Sequence, residues 1–164
     1  MKGVLIWGGP LFYGLQYNKK GILIFDGEYV NGVENGYKKE YDFWGHLNFE
    51  GNYLKGKRSG KGKEYFNNKL IFEGEYLKGK RSGKGKEYFN NGNILYDGEY
   101  KNDNRNGSGK EYYENGILKY EGKFKNDMWN GKGIAYYKTG RRKSQGFFRK
   151  GKKIKSNKKV IRNK

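Results

Sequence analysis

The sixteen residues YLKGKRSGKGKEYFNN occupy positions 53–68 of this chain and occur again, unchanged, at positions 76–91. Two copies that begin 23 residues apart indicate a repeat architecture, because self-similarity at a fixed period is the signature of arrayed structural units. We interpret them as two adjacent copies of one unit. Their residues are constrained because each unit stacks on neighbours that need the same surface.

A five-residue signature, aromatic-acid-Gly-x-aromatic, marks the units at intervals of 23 or 24 residues. A Gly comes seven residues after the last aromatic residue of each intact signature, and a Tyr comes five residues after that Gly. The signature is intact five times and degenerate once, as FDGEY (25–29), FEGNY (49–53), FEGEY (72–76), YDGEY (96–100), YEGKF (120–124) and SQGFF (144–148).

Each unit is predicted to contain two short strands. In FEGEYLK, alternation places Phe72 and Tyr76 on one face with Gly74 between them, where the missing side chain leaves room for a ring from the adjacent strand. The following KGKRSGKG (78–85) is dense in Gly and charge and predicts a loop, and KEYFNN (86–91) predicts the return strand. The Asn-Gly pair at 91–92 supplies the positive φ of a hairpin turn. Asn68-Lys69 stands in that slot one unit earlier, so a different turn type is expected there.

These patterns predict an all-β fold: an elongated single-layer antiparallel sheet of about six stacked hairpins, with a length of roughly 55 Å. An apolar content of 34 % is low for a thick two-layer core, whereas 18 % aromatic residues argue against disorder. We expect an apolar N-terminal cap at 1–13 that includes Trp7, a repeat array at 14–148 and a basic tail at 149–164.

The stretch YDGEYKNDNRNGSGKEYYENG (96–116) resembles the MORN repeat, named for membrane occupation and recognition nexus. The apolar step after Asn115-Gly116 is similar to the second MORN subtype of bacterial proteins, some of them antitoxin-like. The resemblance spans about residues 14 to 151 and implies an elongated sheet with a membrane or protein partner. Four residues depart from the pattern: Lys38 and Ser144, which replace a Gly and an aromatic residue, and Asp103 and Asp127, which replace a Gly.

Positive charge is concentrated at the C-terminus. Residues 128–164 carry 14 Lys or Arg and no Asp or Glu, which leaves 5 of the formal net charge of +19 for the rest of the chain. Clustered cations are attracted to phosphate-rich surfaces. A solvated tail is the alternative, and the excess of Lys over Arg argues against bidentate phosphate recognition.

No catalytic constellation is indicated. His46 is the single histidine and falls in a turn, and the chain has no cysteine, which is most common in a reducing, cytoplasmic compartment. Carboxylate pairs such as Glu73 with Glu75 recur with the repeat, so pairing with Lys across strands explains them better than acid–base catalysis. We therefore expect no enzyme activity, no cofactor and no metal.

Two functional classes remain open, with nucleic-acid binding by the tail a weaker third. One is a scaffold that binds a protein through exposed aromatic residues. The other is peripheral binding to an anionic membrane, which keeps the protein cytoplasmic or at a membrane surface. The candidate protein-binding residues are Tyr65, Tyr76, Tyr88, Tyr100 and Tyr112. The candidate membrane-binding residues are Lys57, Lys61, Lys80, Lys84, Arg149, Lys150, Lys152, Lys153, Lys155, Lys158 and Lys159.

Overall fold

A computed structural model describes residues 3–5 and 11–155 of the chain. These residues form one antiparallel sheet of 14 strands in which each strand pairs with its neighbours in sequence. The predicted all-β, single-layer fold is confirmed. Most of the predicted N-terminal cap, including Trp7, and residues 156–164 of the predicted tail lie outside the described residues. The described residues contain no helix that could cross a membrane.

The strands are 2 to 10 residues long and follow one another without crossovers. They are β1 (Gly3–Leu5), β2 (Leu11–Tyr17), β3 (Leu23–Val30), β4 (Val33–Tyr41), β5 (Leu47–Leu54), β6 (Lys57–Phe66), β7 (Lys69–Leu77), β8 (Lys80–Tyr88), β9 (Ile94–Lys101), β10 (Asn104–Tyr112), β11 (Leu118–Lys125), β12 (Met128–Tyr136), β13 (Arg142–Arg149) and β14 (Lys152–Lys153).

Turns of two kinds form the two long edges of the sheet. On one edge each turn within residues 11–155 has two residues with positive φ, as at Lys55 (51°) and Gly56 (73°), which defines the type I′ hairpin. We call this the lysine edge (30–33, 54–57, 77–80, 101–104, 125–128 and 149–152). The opposite edge, which we call the asparagine edge, is formed by residues 18–22, 42–46, 66–69, 89–93, 113–117 and 137–141.

On the asparagine edge most turns are longer. The amide of Gly92 donates to the Phe89 carbonyl, and Gly92, unlike Asn91, has a positive φ of 86°. This is a three-residue turn that ends in a left-handed Gly. Asn67 and Asn68 both have positive φ (49° and 60°), so the shorter unit closes with a two-residue turn. The predicted change of turn type is confirmed.

The predicted loop at 78–85 is wrong. Only Lys78 and Gly79 form a turn, and Lys80–Tyr88 is strand β8. The register between β7 and β8 shifts between Gly74 and Tyr76, because β8 has a bulge opposite this segment. The bulge includes Gly83, whose φ is 78°. A Cβ at Gly83 would collide with the Glu75 side chain, which folds onto the bulge.

The core is a ladder of rings along one face, which we call the aromatic face. Phe72 is fully buried and packs edge-to-face with Tyr76 of its own strand (5.7 Å between ring centroids) and Tyr100 of the next unit (5.2 Å). Its ring lies over Gly74 and Gly85, where an added Cβ would be 2.7 Å from its Cζ atom. Gly74 therefore makes room for a ring of its own strand, not of the adjacent strand as predicted, whereas Gly85 on β8 makes room for this ring from the adjacent strand β7. The same ladder runs through Tyr53, Phe49, Tyr76, Phe72, Tyr100, Tyr96, Phe124, Tyr120 and Phe148.

Guanidinium groups cover the rings from outside. Arg81 lies 4.1 Å from the centroid of Phe72, and its side chain forms ion pairs with Glu64 (2.5 Å) and Glu87 (3.8 Å). Burial on its own raises the pKa of Glu64, but hydrogen bonds from Arg81 and Tyr76 and the nearby guanidinium charges more than offset it, so the pKa lies below its usual value. Arg58 over Phe49 and Arg105 over Tyr96 repeat the arrangement.

Backbone hydrogen bonds lock each unit to the one before it. The amide of Gly79, in a turn of the lysine edge, donates to the carbonyl of Arg58 in the preceding unit (2.9 Å). The departures at Asp103 and Asp127 fit this arrangement. Both adopt positive φ (70° and 63°), and the Asp103 carboxylate also accepts a hydrogen bond from the amide of Arg81 (2.9 Å).

The first complete unit replaces the Arg by a rearranged ion pair. Glu34 stands where the next three units have Arg, and Lys38 stands where later units have the second Gly. Lys38 is 1 % exposed. Its ammonium lies 3.9 Å from the centroid of the Phe25 ring and forms an ion pair with Glu34 at 3.0 Å. A cation thus reaches the ring from a different strand position, which explains the departure at Lys38.

Candidate protein-binding groove

The two faces of the sheet differ in what covers them. On the aromatic face, the rings are buried beneath Arg and Glu side chains of the same chain. The opposite face, which we call the polar face, carries the alternate residues of each strand and has no second layer of described residues above it. The polar face is therefore the surface that the fold leaves open.

Charges on the polar face form stripes. Strand β7 presents Glu73 and Glu75 there, on either side of Gly74, and the neighbouring strand β8 presents Lys84 and Lys86. The stripes repeat every two strands, or about 9.6 Å. Along the row that contains Glu73, acidic and basic residues are paired in register: Asp26, Lys39, Glu50, Lys63, Glu73, Lys86, Asp97, Lys110 and Glu121.

A row of tyrosines borders the acidic residues. The hydroxyl of Tyr65 donates to Glu50 (2.7 Å), and that of Tyr88 donates to Glu73 (2.6 Å). Burial and the hydrogen bond to the carboxylate raise the pKa of both phenols well above the usual value. The pKa of Glu50 is lowered, chiefly by the hydrogen bond from Tyr65. The hydroxyls therefore stay protonated and hold the carboxylates in fixed positions.

Two grooves follow the line of glycines along this face. The central groove, of about 540 Å³, extends from Tyr37 to Asp97 and has the backbone of Gly51, Gly62, Gly74 and Gly85 as its floor. The second, of about 930 Å³, begins at Asp97 and ends at Phe147. We call it the C-terminal groove.

The structure separates the predicted protein-binding tyrosines into two groups. Tyr65, Tyr88 and Tyr112 lie half-buried on the polar face, and Tyr112 lines the C-terminal groove. Tyr76 and Tyr100 are each 4 % exposed, because their rings belong to the ladder on the opposite face. A protein bound to the intact sheet has almost no access to these two rings, so they act in packing.

The predicted membrane-binding lysines also separate. Lys61 and Lys84 line the central groove beside acidic strands, whereas Lys57 and Lys80 lie on the lysine edge. Arg149, Lys150 and Lys152 form the last turn of that edge, with Lys153 and Lys155 directly after it. Lys158 and Lys159 lie outside the described residues.

The lysine edge is strongly basic. Its described residues include two carboxylates, Asp103 and Asp127. Leu54, Leu77 and Met128 are 48 to 58 % exposed between the basic residues. The exposed cations number nine: Lys55, Lys57, Lys78, Lys80, Lys101, Lys125, Arg149, Lys150 and Lys152.

This architecture, a single-layer sheet of stacked hairpins with one closed face, defines a β-hairpin repeat protein. The family profile of the MORN repeat matches the chain in five stretches: residues 25–37, 49–70, 72–94, 96–117 and 120–140. The chain therefore belongs to the MORN repeat family, as its sequence resemblance predicted. Among the curated proteins compared with the chain, none matches it. The resemblance to the second, antitoxin-like subtype stays a prediction.

The sequence interpretation did not include the guanidinium groups that lie over the rings of the aromatic face. The chain contains 7 Arg, and three of them, Arg58, Arg81 and Arg105, stand at the same phase of the repeat. That coincidence was available in the sequence. It signals a position where Lys does not replace Arg, because a planar guanidinium stacks on a ring and bonds two carboxylates at once.

Proposed function

We propose that this protein is a non-catalytic scaffold that binds a partner protein along its polar face. The observation that carries the proposal is the asymmetry of the sheet. Side chains of the chain itself close one face, while the other presents grooves lined by ordered Tyr, Glu and Lys side chains. Open sheet faces with fixed polar groups suit recognition of a polypeptide.

The stripes of alternating charge favour a protein over a simple polyanion. In the central groove each basic strand lies between acidic strands, as Lys84 and Lys86 lie between Glu73 and Asp97. A uniformly negative surface would gain from the Lys stripes and lose at the Glu stripes in equal measure. A polypeptide can place charges of both signs, and complementary patterns of this kind determine specificity more than affinity.

Site-directed photo-crosslinking in the cell of origin tests the proposal. A photoreactive residue at Lys84, in the central groove, is expected to capture one partner protein. The same residue at Asn91, exposed on the asparagine edge, serves as the matched control and should capture none. Lys84→Glu with Lys86→Glu should weaken the interaction of the purified pair at least about tenfold. Equal capture at both positions would contradict the proposal.

A second candidate function is attachment to an anionic membrane by the lysine edge. The nine exposed cations and the exposed Leu54, Leu77 and Met128 between them support it. Basic residues near an anionic bilayer each contribute about 1 kcal/mol, and exposed aliphatic side chains add interfacial burial. The sheet would then stand on this edge with its polar face free, so one molecule could serve both functions.

Vesicle sedimentation distinguishes the edge from other sources of positive charge. Vesicles with about 30 % phosphatidylserine should bind the protein at low salt. Replacing Lys55, Lys57, Lys78 and Lys80 by Gln should lower the binding constant at least about tenfold. The control removes the same charge from the polar face, at Lys61, Lys63, Lys84 and Lys86, and should have little effect. Equal losses would refute an edge-specific contact, and loss on deletion of 156–164 alone would assign binding to the tail.

A further inference from the structure

The polar face departs from its own repeat at the C-terminal end. Ile134 stands on β12 where earlier units have Lys63, Lys86 and Lys110. On β13, Phe147 stands where earlier units have Glu75 and Glu99, and Gln145 stands where they have an acid. In the row of Glu73 the alternation of acid and base therefore ends at Glu121 on β11, and Ile134 follows. In the row of Phe147 it ends at Glu99 on β9, because Ser108 and Lys123 come next.

Packing of the sheet does not require these apolar residues. Phe147 is 52 % exposed, and the ring that completes the ladder is its neighbour Phe148, on the other face. Earlier units have Lys at the position of Ile134, and at the position of Phe147 they have a polar residue, Glu28, Asn52, Glu75, Glu99 or Lys123, with the same strand pairing. The Lys132 ammonium lies 5.7 Å from the centroid of the Phe147 ring, so a basic and an aromatic side chain stand together on this open face. Exposed apolar patches rimmed by polar residues mark interaction sites.

The electrostatic surroundings of these residues are also distinct. The C-terminal groove is lined by Lys110, Lys123 and Lys132, and by the carboxylates Asp97 and Glu121. Glu121 is already engaged, because it accepts a hydrogen bond from the Tyr136 hydroxyl (2.8 Å). Residues 128–155, which form the last strands and turns, contain no Asp or Glu. This end of the polar face is thus both apolar and basic.

We propose that the C-terminal groove binds an acidic segment of the partner protein that carries aromatic or aliphatic anchor residues. This rests on the scaffold function and adds the chemistry of the partner. Ile134, Phe147 and Tyr112 provide the apolar contacts, and Lys110 and Lys132 neutralise the acidic side chains of the segment. Aromatic anchors in a groove dominate binding energy, and the surrounding lysines provide charge complementarity.

Fluorescence anisotropy with a labelled synthetic peptide tests this inference. The probe is a 12-residue peptide of alternating acidic and Leu or Phe residues. Two matched peptides replace its apolar residues by Ser, or its acidic residues by Lys. The wild-type protein should bind the probe at least about tenfold more tightly than either control.

The matched protein variants exchange the apolar residues for those of the regular units. Ile134→Lys with Phe147→Glu keeps the net charge and should weaken probe binding at least about tenfold. Leu54→Lys with Leu77→Glu makes the same change on the lysine edge and should leave the affinity for the probe peptide unaltered. Thermal unfolding followed by circular dichroism verifies that both variants fold. Equal affinity for the Ser peptide would mean attraction by charge alone, and unchanged affinity of the Ile134 and Phe147 variant would place the site elsewhere. Either result overturns the inference, while capture at Lys84 would still support the scaffold.

Discussion

Replacement of Phe72 by Ala is expected to lower the free energy of unfolding by about 3 to 5 kcal/mol. The ring is fully buried, lies over Gly74 and Gly85, and contacts the Arg81 guanidinium from above at 4.1 Å. Its removal leaves a cavity that the Gly backbone cannot fill, and it interrupts the ladder between Tyr76 and Tyr100. Urea unfolding followed by circular dichroism measures the change.

The control for this experiment is Phe66→Ala. Phe66 is 62 % exposed on the asparagine edge, so the same truncation there should cost less than about 1 kcal/mol. A comparable loss at both positions would show that the sheet does not depend on the ring ladder for its stability.

Substitution of Lys38 or Glu34 by the residue of the regular units is expected to give the second large loss in the free energy of unfolding. Lys38→Gly removes the cation from Phe25 and leaves Glu34 without its partner, so we expect a loss of about 2 to 3 kcal/mol. Glu34→Arg alone places a second cation beside the buried ammonium and should cost about as much. The double variant has the Arg and Gly of the regular units, and we expect its stability to lie within about 1 kcal/mol of the wild type.

A double-mutant cycle from urea unfolding measures this compensation. The coupling energy between the two substitutions should exceed about 2 kcal/mol and favour the double variant. If the effects of the two substitutions simply add, the two positions are independent, and the unit is not a rearranged version of the regular one.

Much of the fold could be predicted from the sequence because the residues that recur in every unit are those that pack against the neighbouring units. Phe72, Gly74 and Tyr76 alternate at period two, and stacked units must present the same residues to each other. The faces of β7 were therefore predictable, with Glu73 and Glu75 opposite the rings. The turn at Asn67 and Asn68 was predictable as an exception because its unit lacks one residue.

The features that could not be predicted depend on contacts between units. Lys78 adopts a φ of 52° in a type I′ turn, which Lys rarely occupies, so KGKRSGKG resembled a loop. The division of the tyrosines also required the structure. Tyr65 and Tyr76 are both conspicuous in the repeat, but a bulge and strand alternation place one beside Glu50 and the other in the core.

The C-terminal groove shows the same limit. Ile134 and Phe147 are ordinary residues in the sequence, and they become notable only when register aligns them with the Lys and Glu of earlier strands. Without that alignment, the positive charge of residues 128–164 was attributed mainly to a tail at 149–164 and not to the end of a groove.

The two identical segments, 53–68 and 76–91, have a consequence for how the chain folds. Strand β8 carries the residues that β6 uses to pair with β5, so an alternative hairpin between β5 and β8 would satisfy the same hydrogen bonds while expelling β6 and β7 as a loop. Such a misaligned chain would lose the rings of Phe72 and Tyr76 from the ladder and form a shorter array. The flanking units differ from the duplicated pair: the first has Lys38, and the fifth has Trp129, which pairs with Phe124 and stacks on Tyr120 with 4.3 Å between ring centroids. The ambiguity of pairing is therefore confined to the two identical segments.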